Sequence, residues 1–512
     1  GIRDAQESRG LGDVYKRQGY TLGIDIGTYE TKGVLVDGAG TIYAQAARGH
    51  KMLVPEPGWA EHNPEENWWG DFVFICKTLL SESGINASQI NAVACSAIGP
   101  CMLPVDTNGD PLMNGVLYGV DGRAESEVRE LSQRIGEETI ISRCGNALTS
   151  QSVGPKILWL KRQRPEIFSK MAYILSSTSF IVMRLTGEVV IDHYTAANFS
   201  PLYDVTTQTW VDDLADDIVP LEKLPRLMWS NEIAGHITKE AAELTGLAFG
   251  TPVTVGTIDA AAEALSVGAD KPGDMMMMYG STIFIILRAQ SRVADPRIWY
   301  APWLFKGEHA SMAGLATSGT LTHWFRDQVA RDLSVQDAFP ALAEEAAKSP
   351  PGANGLLMLP YFSGERTPIH DVNAKGAMFG FNLTHTRGDM YRALIEGIAH
   401  GTRHVTDTFT QLGQAPIRLL AVGGGTKNAL WLQVTSDITG IDQIVCEKTT
   451  GASYGDAFLA AVAVGLVERD SISKWNPAVK TIIAQPNVTY DKAHDLFHRL
   501  YEQTKDIARE LT

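Results

Sequence analysis

Asp25, Gly27, Thr28 and Lys32 lie close together near the start of the sequence, and their types and order suit phosphate binding. The glycine lets backbone amides approach a ligand, and a hydroxyl donor and a cation follow it. The Asp25 carboxylate could hold Mg²⁺ through water, because this ion keeps much of its hydration shell. An ordinary hairpin turn is the alternative interpretation.

Asp259 is the second residue that could do chemistry. It follows the apolar run Thr251–Gly256, which predicts a buried strand, and it precedes a small-residue helix. Ligand crevices in α/β proteins form at such strand ends, so Asp259 is a candidate proton acceptor. Its carboxylate could instead cap the helix. Glu263, one helical turn later, is expected to be exposed or structural.

Gly423–Gly425 and Asn428 form a third group, in which a strand leads through glycines into a helix. This arrangement resembles a nucleotide site, and Asn428 could donate or accept hydrogen bonds. A tight strand-to-helix turn is the alternative. The spacing G-x-G-x-x-G is absent, which argues against a dinucleotide-binding dehydrogenase.

The elements that must position these residues alternate between strands and helices, which predicts an α/β protein. Strands are predicted at Tyr20–Asp25, Thr31–Asp37 and Thr41–Ala46, and a similar hairpin recurs at Gly273–Tyr279 and Thr282–Leu287. Helices are predicted at Glu65–Ser81, Asp121–Ile135, Lys156–Arg162, Asp389–Leu412, Ala429–Thr439 and Ser453–Gly465. The recurring hairpin suggests a duplicated β-rich unit.

The bulk properties predict a protein of at least two domains, because 512 residues exceed the size of one core. The boundary is expected between Gly268 and Gly273, and residues 1–19 are expected to be a disordered or non-native leader. A net charge of −15 without a basic patch argues against nucleic acid or membrane partners. Five cysteines without a CxxC pair favour reduced thiols in the cytoplasm.

Taken together, these segments resemble the FGGY carbohydrate kinases, and most of all the xylulokinase-like members. The similar segments are Asp25–Thr28, Gly58–Trp69, Pro155–Leu160, Leu185–Glu188 with Asp192, Asp259, Tyr279–Ser281, Gly364–Pro368, Arg392–Gly397 and Gly423–Asn428. They run in the family's order from Tyr20 to the C-terminal part of the chain.

The resemblance implies a two-domain, actin-like ATPase (ribonuclease H-like) fold with an interdomain cleft. Residues 20–268 would bind sugar, and residues 269–512 would bind ATP. Asp259 would be the general base, and Asp25 would act on the metal from the opposite wall of the cleft. The implied nucleotide contacts are Thr28, Lys32, Gly280, Ser281 (in place of the family's usual Thr), Gly319, Gly424 and Asn428.

The substrate is less well defined by the same resemblance. Gly99 and Pro100 replace a Met-His pair that contacts sugar in xylulokinases, and Ala260 replaces a polar residue after the base. Asp121 and Arg123 match a family Asp-x-Arg near the sugar, although a charged helix start is the alternative. A ketopentose such as xylulose is expected, with ribulose, a tetritol, glycerol or a hexulose as alternatives.

Two further readings stay open from the sequence. One is a non-catalytic sugar sensor on the same scaffold, although a protein that only binds sugar has no need for both Asp25 and Asp259. The other concerns assembly: homodimers are common in the family, so a homodimer is compatible with the resemblance. Both readings can be tested in solution.

Overall fold

A computed structural model describes residues 19–511, which form two compact α/β units. Unit 1 contains the chain up to Gly268 together with Tyr300–His309 and Thr450–Pro477, and unit 2 contains Ala269–Trp299, Ala310–Thr449 and the chain from Ala478. Two segments of the domain predicted at 269–512 therefore belong to unit 1. The predicted leader lies outside the described residues, apart from Gly19.

The strands up to residue 258 belong to unit 1. They are β1 (Tyr20–Ile26), β2 (Glu30–Asp37), β3 (Ile42–Gly49), β4 (Glu61–His62), β5 (Ile90–Ala97), β6 (Leu103–Val105), β7 (Gly115–Val116), β8 (Tyr173–Leu175), β9 (Val190–Asp192), β10 (Tyr203–Asp204), β11 (Thr209–Trp210), β12 (Arg226–Met228), β13 (Ile233–His236), β14 (Pro252–Thr254) and β15 (Thr257–Ile258). The later strands are β16 (Asp274–Tyr279), β17 (Ile283–Ala289), β18 (Trp299–Pro302), β19 (His309–Leu315), β20 (Leu357–Leu359), β21 (Ala377–Phe379), β22 (Arg418–Val422), β23 (Gln443–Cys446) and β24 (Ala478–Ile482).

The helices alternate with these strands along the chain. They are α1 (Asp71–Ser83), α2 (Glu125–Ile135), α3 (Glu137–Cys144), α4 (Val153–Gln163), α5 (Pro165–Lys170), α6 (Ser177–Thr186), α7 (His193–Ala196), α8 (Lys239–Thr245), α9 (Asp259–Ser266), α10 (Gly319–Val329), α11 (Ala338–Ala347), α12 (Arg387–Gln411), α13 (Ala429–Thr439), α14 (Ala452–Ala463), α15 (Ile472–Trp475) and α16 (Val488–Glu510). A π-helical turn, Pro64–Gly70, leads into α1.

The main sheet of unit 1 has the strand order β13-β14-β5-β1-β2-β3, with β15 also paired to β5. β1 and β2 form an antiparallel hairpin, whereas β1, β14 and β15 run parallel to β5. The register places Lys32 opposite Asp25, Asp25 opposite Ser96, and Ser96 opposite Thr257. The carboxyl ends of β1, β5 and β15 therefore meet at one edge of the sheet.

In unit 2, six strands of the sheet follow the order β19-β17-β16-β22-β23-β24. As in unit 1, a central strand pairs with the next strand in an antiparallel hairpin (β16 with β17) and with a later strand in parallel (β16 with β22). This shared topology matches the duplicated β-rich unit that the recurring hairpin predicts. The core of unit 2 includes Met275, Ile285, Leu394 and Leu432.

The core of unit 1 includes Leu22, Ile24, Phe72 and Phe180, which come from β1, α1 and α6. On β1, a Cβ added at Gly23 would lie 2.0 Å from the Ser453 carbonyl oxygen, so α14 packs directly against the strand backbone. Small residues are required for this close approach, and they explain the composition of the predicted helix Ser453–Gly465. The contact brings a segment near residue 456 to the edge where β1 and β5 end.

Two predicted helices begin later in the structure than the sequence predicts. Asn63 accepts hydrogen bonds from the amides of Glu65 and Glu66, so the predicted helix Glu65–Ser81 opens with the π-helical turn, and α1 starts only at Asp71. The predicted helix Asp121–Ile135 starts at Glu125. Asp121 stays outside it because its carboxylate accepts hydrogen bonds from the Ala60 amide and from Arg123.

Candidate active site

Asp25 and Asp259 both belong to unit 1, so the prediction that they come from opposite walls of a cleft between domains is wrong. Asp25 lies near the end of β1, and Asp259 is the first residue of α9, directly after β15. Both strands pair with β5, whose Ser96 Oγ lies 3.2 Å from Asp25 Oδ1. One sheet edge therefore positions both carboxylates.

The pKa values of these carboxyl groups are shifted upward. Burial raises the pKa of Asp25 well above its usual value, and the charges of Asp259, Asp456 and Glu263 raise it further. Burial also raises the pKa of Asp259 to about 7, although the Ala260 amide, which donates to Asp259 Oδ1 at 2.7 Å, opposes that shift. Asp259 is consequently suited to accept a proton near neutral pH.

The helix-cap interpretation of Asp259 does not describe its contacts. Ile258 occupies the cap position of α9. Among residues 19–511, no side chain caps this helix, and the Asp259 carboxylate accepts a hydrogen bond only from the amide that follows it in the chain. The carboxylate of Asp259 thus does not cap the helix. This leaves it available for chemistry.

Asp456 and Glu263 complete an acidic cluster with Asp25 and Asp259. Asp456 is fully buried, and its Oδ2 accepts hydrogen bonds from Ser96 N at 3.0 Å and from Ser96 Oγ at 2.7 Å. Glu263 was expected to be exposed or structural, but it is only partly exposed. Burial and the charge of Asp259 raise its pKa to about 7, so it belongs to the same electrostatic group.

Sequence reasoning missed Ser96 and Asp456 entirely. A charged residue within the small, apolar run Gly455–Ala463 was the one local signal that could have drawn attention to Asp456. Its partner Ser96 is 360 positions away in the chain, so no local pattern could have paired them. Only the packing of α14 against β1 and β5 brings the two together.

Thr28 lies in the turn between β1 and β2, and Lys32 lies on β2. Thr28 Oγ1 lies 3.2 Å from the hydroxyl of Tyr118, and the Gly27 amide closes the turn by donating to the Glu30 carbonyl oxygen. Lys32 is about half exposed and forms an ion pair with Glu30 at 3.2 Å. Because Lys32 is opposite Asp25 in the hairpin, both side chains lie on the same face of the sheet.

Gly99 and Pro100 follow β5 at the same sheet edge. A Cβ added at Gly99 would lie 2.8 Å from Ile258 Cγ1, so Gly99 packs against the residue that precedes Asp259. Gly99 is partly exposed, whereas Pro100 is buried. The structure therefore places Gly99 and Pro100, which replace the Met-His pair of xylulokinases, next to the start of α9.

Asp121 and Arg123 bind mainly to each other and to neighbouring protein groups. The Arg123 guanidinium donates to both carboxylate oxygens of Asp121 and, at 2.9 Å, to Glu61, and it lies over the Trp59 ring. Asp121 also accepts from the Ala60 amide at 2.6 Å. These contacts give the pair a structural role, although Arg123 Nη1 has no hydrogen-bond partner among the described residues.

Unit 2 contains a cavity of about 720 Å³ that brings together all the nucleotide contacts predicted in this half of the chain. They are Gly280, Ser281, Gly319, Gly424 and Asn428. The sequence did not predict the apolar side of the cavity, to which α11, α12 and α13 contribute. That side includes Phe339, Pro340, Ala343, Tyr391 and Leu430.

Close backbone contacts build this cavity. The Gly319 amide donates to the Gly280 carbonyl oxygen at 3.0 Å, and a Cβ added at Gly319 would lie 2.5 Å from that oxygen. Asn428 caps α13, because its Oδ1 accepts from the Trp431 amide at 3.1 Å. The amide nitrogen of the Asn428 side chain is therefore the group that can donate to a ligand.

No set of three or more His, Cys, Asp or Glu side chains in the described part of the chain is arranged to bind a metal ion directly. A hydrated Mg²⁺ held by Asp25 through water needs no such set. The acidic cluster fits this ion, because Asp259, Asp456 and Glu263 all raise the pKa of Asp25. A divalent cation would offset that concentration of negative charge.

The comparisons with known proteins agree over nearly the whole chain. Residues 20–266 match the FGGY family of carbohydrate kinases, N-terminal domain, and residues 275–464 match its C-terminal domain. The xylulose kinase of Bacillus subtilis (strain 168) is 27% identical over 500 residues, which cover 95% of this chain and 98% of that protein. The gluconokinase of the same strain is 27% identical over 466 residues, covering 89% and 90%.

A solved structure extends the similarity to the fold. The crystal structure of xylulose kinase from Rhodospirillum rubrum matches with a TM-score of 0.90 and 31% identity, over 96% of this chain and 99% of that one. The chain therefore belongs to the FGGY family of carbohydrate kinases. It has the two-domain, actin-like ATPase fold, and it is an ATP-dependent sugar kinase, as the sequence predicted.

One further finding concerns membranes. Among residues 19–511, no helix combines the length and the apolar character needed to span a bilayer.

Proposed function

We propose that this kinase transfers the γ-phosphoryl group of Mg-ATP to a hydroxyl of a ketopentose such as xylulose, with Asp259 as the general base. The observation that carries the proposal is the position of Asp259, beside Asp25 at the edge where β1, β5 and β15 end. Its pKa of about 7 suits a base that must be ionised at neutral pH and then accept a proton.

In the proposed step, the substrate oxygen forms a bond to the γ-phosphorus while the bond from that phosphorus to ADP breaks. Asp259 accepts the hydroxyl proton, so the carboxylate becomes a carboxylic acid. Such a transfer depends mainly on positioning and charge neutralisation, and Mg²⁺ held by Asp25 through water would supply part of that neutralisation. Ser96 Oγ lies 3.2 Å from Asp25 Oδ1 and contributes to the position of that carboxyl group.

We assign the nucleotide to the cavity in unit 2, which is supported by its volume and lining. Its apolar residues suit a purine ring, and Gly280, Ser281, Gly319 and Gly424 offer backbone groups and a hydroxyl without bulky side chains. Asn428 would donate a hydrogen bond from its side-chain nitrogen. In unit 1, the Thr28 hydroxyl and Lys32 are the proposed phosphate contacts.

Xylulose is supported by the similarity to xylulose kinases from two organisms at 27% and 31% identity. A second candidate is gluconate, since a gluconokinase is also 27% identical over most of both chains. Gly99, Pro100 and Ala260 offer no polar side chain next to Asp259, and sugar specificity depends on matched hydrogen bonds. Ribulose, a tetritol, glycerol and a hexulose therefore stay in the set to be tested.

We propose that Arg123 contacts the substrate through Nη1, which has no hydrogen-bond partner in the described part of the chain. Asp121 would then act on the sugar site through Arg123, because protein donors surround its carboxylate. Asp121 also lines a cavity of about 500 Å³ in unit 1.

The test is a coupled assay of ADP formation over xylulose, ribulose, other ketopentoses, pentitols, tetritols, hexuloses, glycerol and gluconate. One sugar should raise ADP release far above the rate without sugar, and phosphorus NMR of the product identifies the hydroxyl. The activity should vanish when EDTA removes Mg²⁺ and return when Mg²⁺ is restored. A preference for gluconate would replace the ketopentose assignment.

A sugar-binding protein without turnover would contradict the proposal and favour the sensor reading. Calorimetric sugar binding without sugar-dependent ADP release is the result to look for. A homodimer and a cytoplasmic location also stay predictions, and light scattering on the purified protein measures the first.

A further inference from the structure

Two buried histidines lie behind the turn that joins β1 to β2. His50 Nε2 lies 3.0 Å from the Gly27 carbonyl oxygen, and His62 Nε2 lies 3.0 Å from the Thr28 carbonyl oxygen. The His50 side chain is 3% exposed, and His62 is fully buried. Consecutive backbone oxygens of one turn are thus each held by an imidazole.

The hydrogen-bond partners of His62 define its tautomer. Trp68 Nε1 lies 3.1 Å from His62 Nδ1, and an indole N–H can only donate, so Nδ1 must accept. The hydrogen of the neutral ring is then on Nε2, which donates to the Thr28 carbonyl oxygen. Burial, followed by the charge of His50, lowers the pKa of His62 to about 4, in agreement with a neutral ring.

His50 links the turn to α1. Nδ1 lies 2.8 Å from Asp71 Oδ2, and Nε2 lies 3.0 Å from the Gly27 carbonyl oxygen. Asp71 is the first residue of α1, and Arg48 Nε lies 3.1 Å from its other carboxylate oxygen. The His50 ring therefore connects the backbone of the turn to the start of the helix.

Holding these oxygens also fixes the amides on the other side of the turn. A trans peptide unit is planar, with its C=O and N–H pointing in opposite directions. The Gly27 oxygen thereby sets the direction of the Thr28 N–H, and the Thr28 oxygen sets that of the Tyr29 N–H.

We infer that His50 and His62 are positioning residues that hold the Gly27–Thr28 turn in its phosphate-binding form. This inference rests on the proposed function, in which the turn binds a phosphate of ATP. The histidines touch neither the substrate nor the nucleotide, and they act through the backbone of the turn. Loss of either imidazole hydrogen bond should therefore weaken the use of ATP more than the use of sugar.

The decisive variants are His62→Gln and His62→Asn. The side-chain nitrogen of Gln can take the place of Nε2 and donate to the Thr28 oxygen, whereas the shorter Asn reaches only the place of Nδ1. We expect His62→Asn to raise the KM for ATP roughly tenfold, the effect of losing one buried hydrogen bond, with less than about a threefold change in the KM for sugar. His62→Gln should stay within about threefold of the wild type.

The control is His236→Gln, which replaces an exposed histidine on β13 of the same unit. It should leave both KM values unchanged. If His62→Gln and His62→Asn are equally impaired, or if neither differs from the wild type, the positioning role is overturned. Circular dichroism on each variant verifies that the fold is retained.

A measurement on the unmodified full-length chain does not depend on folding of variants. Nitrogen-15 NMR of the imidazoles at pH 7.5 should show the hydrogen of the His62 ring on Nε2 alone. A hydrogen on Nδ1 of His62 would overturn the inference. If the wild type phosphorylates no sugar, the proposed function fails, while the NMR result still decides how the turn is held.

Discussion

Replacing Asp259 with Asn tests the proposed chemistry most directly. The exchange keeps the shape of the side chain and an oxygen for the Ala260 amide, but it removes the proton acceptor. A positioned general base contributes roughly 10²–10⁴ to a rate, so the turnover number should fall by about that factor. The KM for ATP should change little, because Asp259 is not among the residues that we propose to contact the nucleotide.

The raised pKa of Asp259 also predicts that kcat/KM rises with pH. The base must be ionised to work, and a pKa raised to about 7 moves ionisation from the acid range to neutral pH. With that pKa, roughly one-tenth of the protein is ionised at pH 6 and roughly nine-tenths at pH 8. The value of kcat/KM should therefore rise about ninefold across this range, whereas an ordinary carboxyl group would give no rise.

The assay couples ADP release to NADH oxidation at saturating Mg-ATP, with sugar varied at each pH between 5.5 and 9. In Asp259→Asn, the remaining activity should lack the rise between pH 6 and 8. Glu263→Gln is the matched control, since it removes a neighbouring carboxyl group that also has a pKa near 7 and should keep both the turnover and the rise. A fully active Asp259→Asn enzyme, or a rise lost only in Glu263→Gln, would refute the assignment of the base.

Three further predictions follow from other contacts. Gly319→Ala places a Cβ against a backbone oxygen at 2.5 Å, so the KM for ATP, measured in the same assay, should rise roughly tenfold with an unchanged KM for sugar. Arg123→Ala leaves the buried charge of Asp121 unpaired and should lower the free energy of unfolding by about 3–5 kcal/mol in urea titrations. A loss below about 1 kcal/mol would contradict a stabilising role of this buried ion pair. Burial raises the pKa of Asp456 well above its usual value, so its neutral form stabilises the folded state at low pH, and that stability is lost as the pH rises. Asp456→Asn should therefore raise the melting temperature more at pH 8 than at pH 5. The opposite trend would contradict the pKa shift.

The sequence was most informative where the structure depends on neighbouring residues. The hairpin strands predicted at Tyr20–Asp25 and Thr31–Asp37 differ from the observed strands by one residue each, and the helix Ala429–Thr439 has the predicted bounds. Alternating apolar residues and glycine turns are local signals, so the strand ends that hold Asp25 and the Gly423 turn could be predicted.

What could not be predicted depends on contacts between distant parts of the chain. The common sheet edge of Asp25 and Asp259 follows from the pairing of both β1 and β15 with β5, which no local pattern specifies. The apolar side of the cavity to which we assign the nucleotide is another case, because residues such as Phe339 look like ordinary core positions in the sequence. Contacts between such distant residues can be identified only from a structure or from many related sequences.

The return of Thr450–Pro477 to unit 1 has a consequence for synthesis on the ribosome. When Gly268 leaves the exit tunnel, the strand that carries Gly23 still lacks the helix that packs against its backbone. Roughly 200 more residues must be translated before that helix emerges, which at about 5–20 residues per second takes about 10–40 seconds. During this interval the nascent first half exposes the apolar residues Ala92 and Ala94, which the finished protein buries, so a chaperone that binds apolar segments would find its target there.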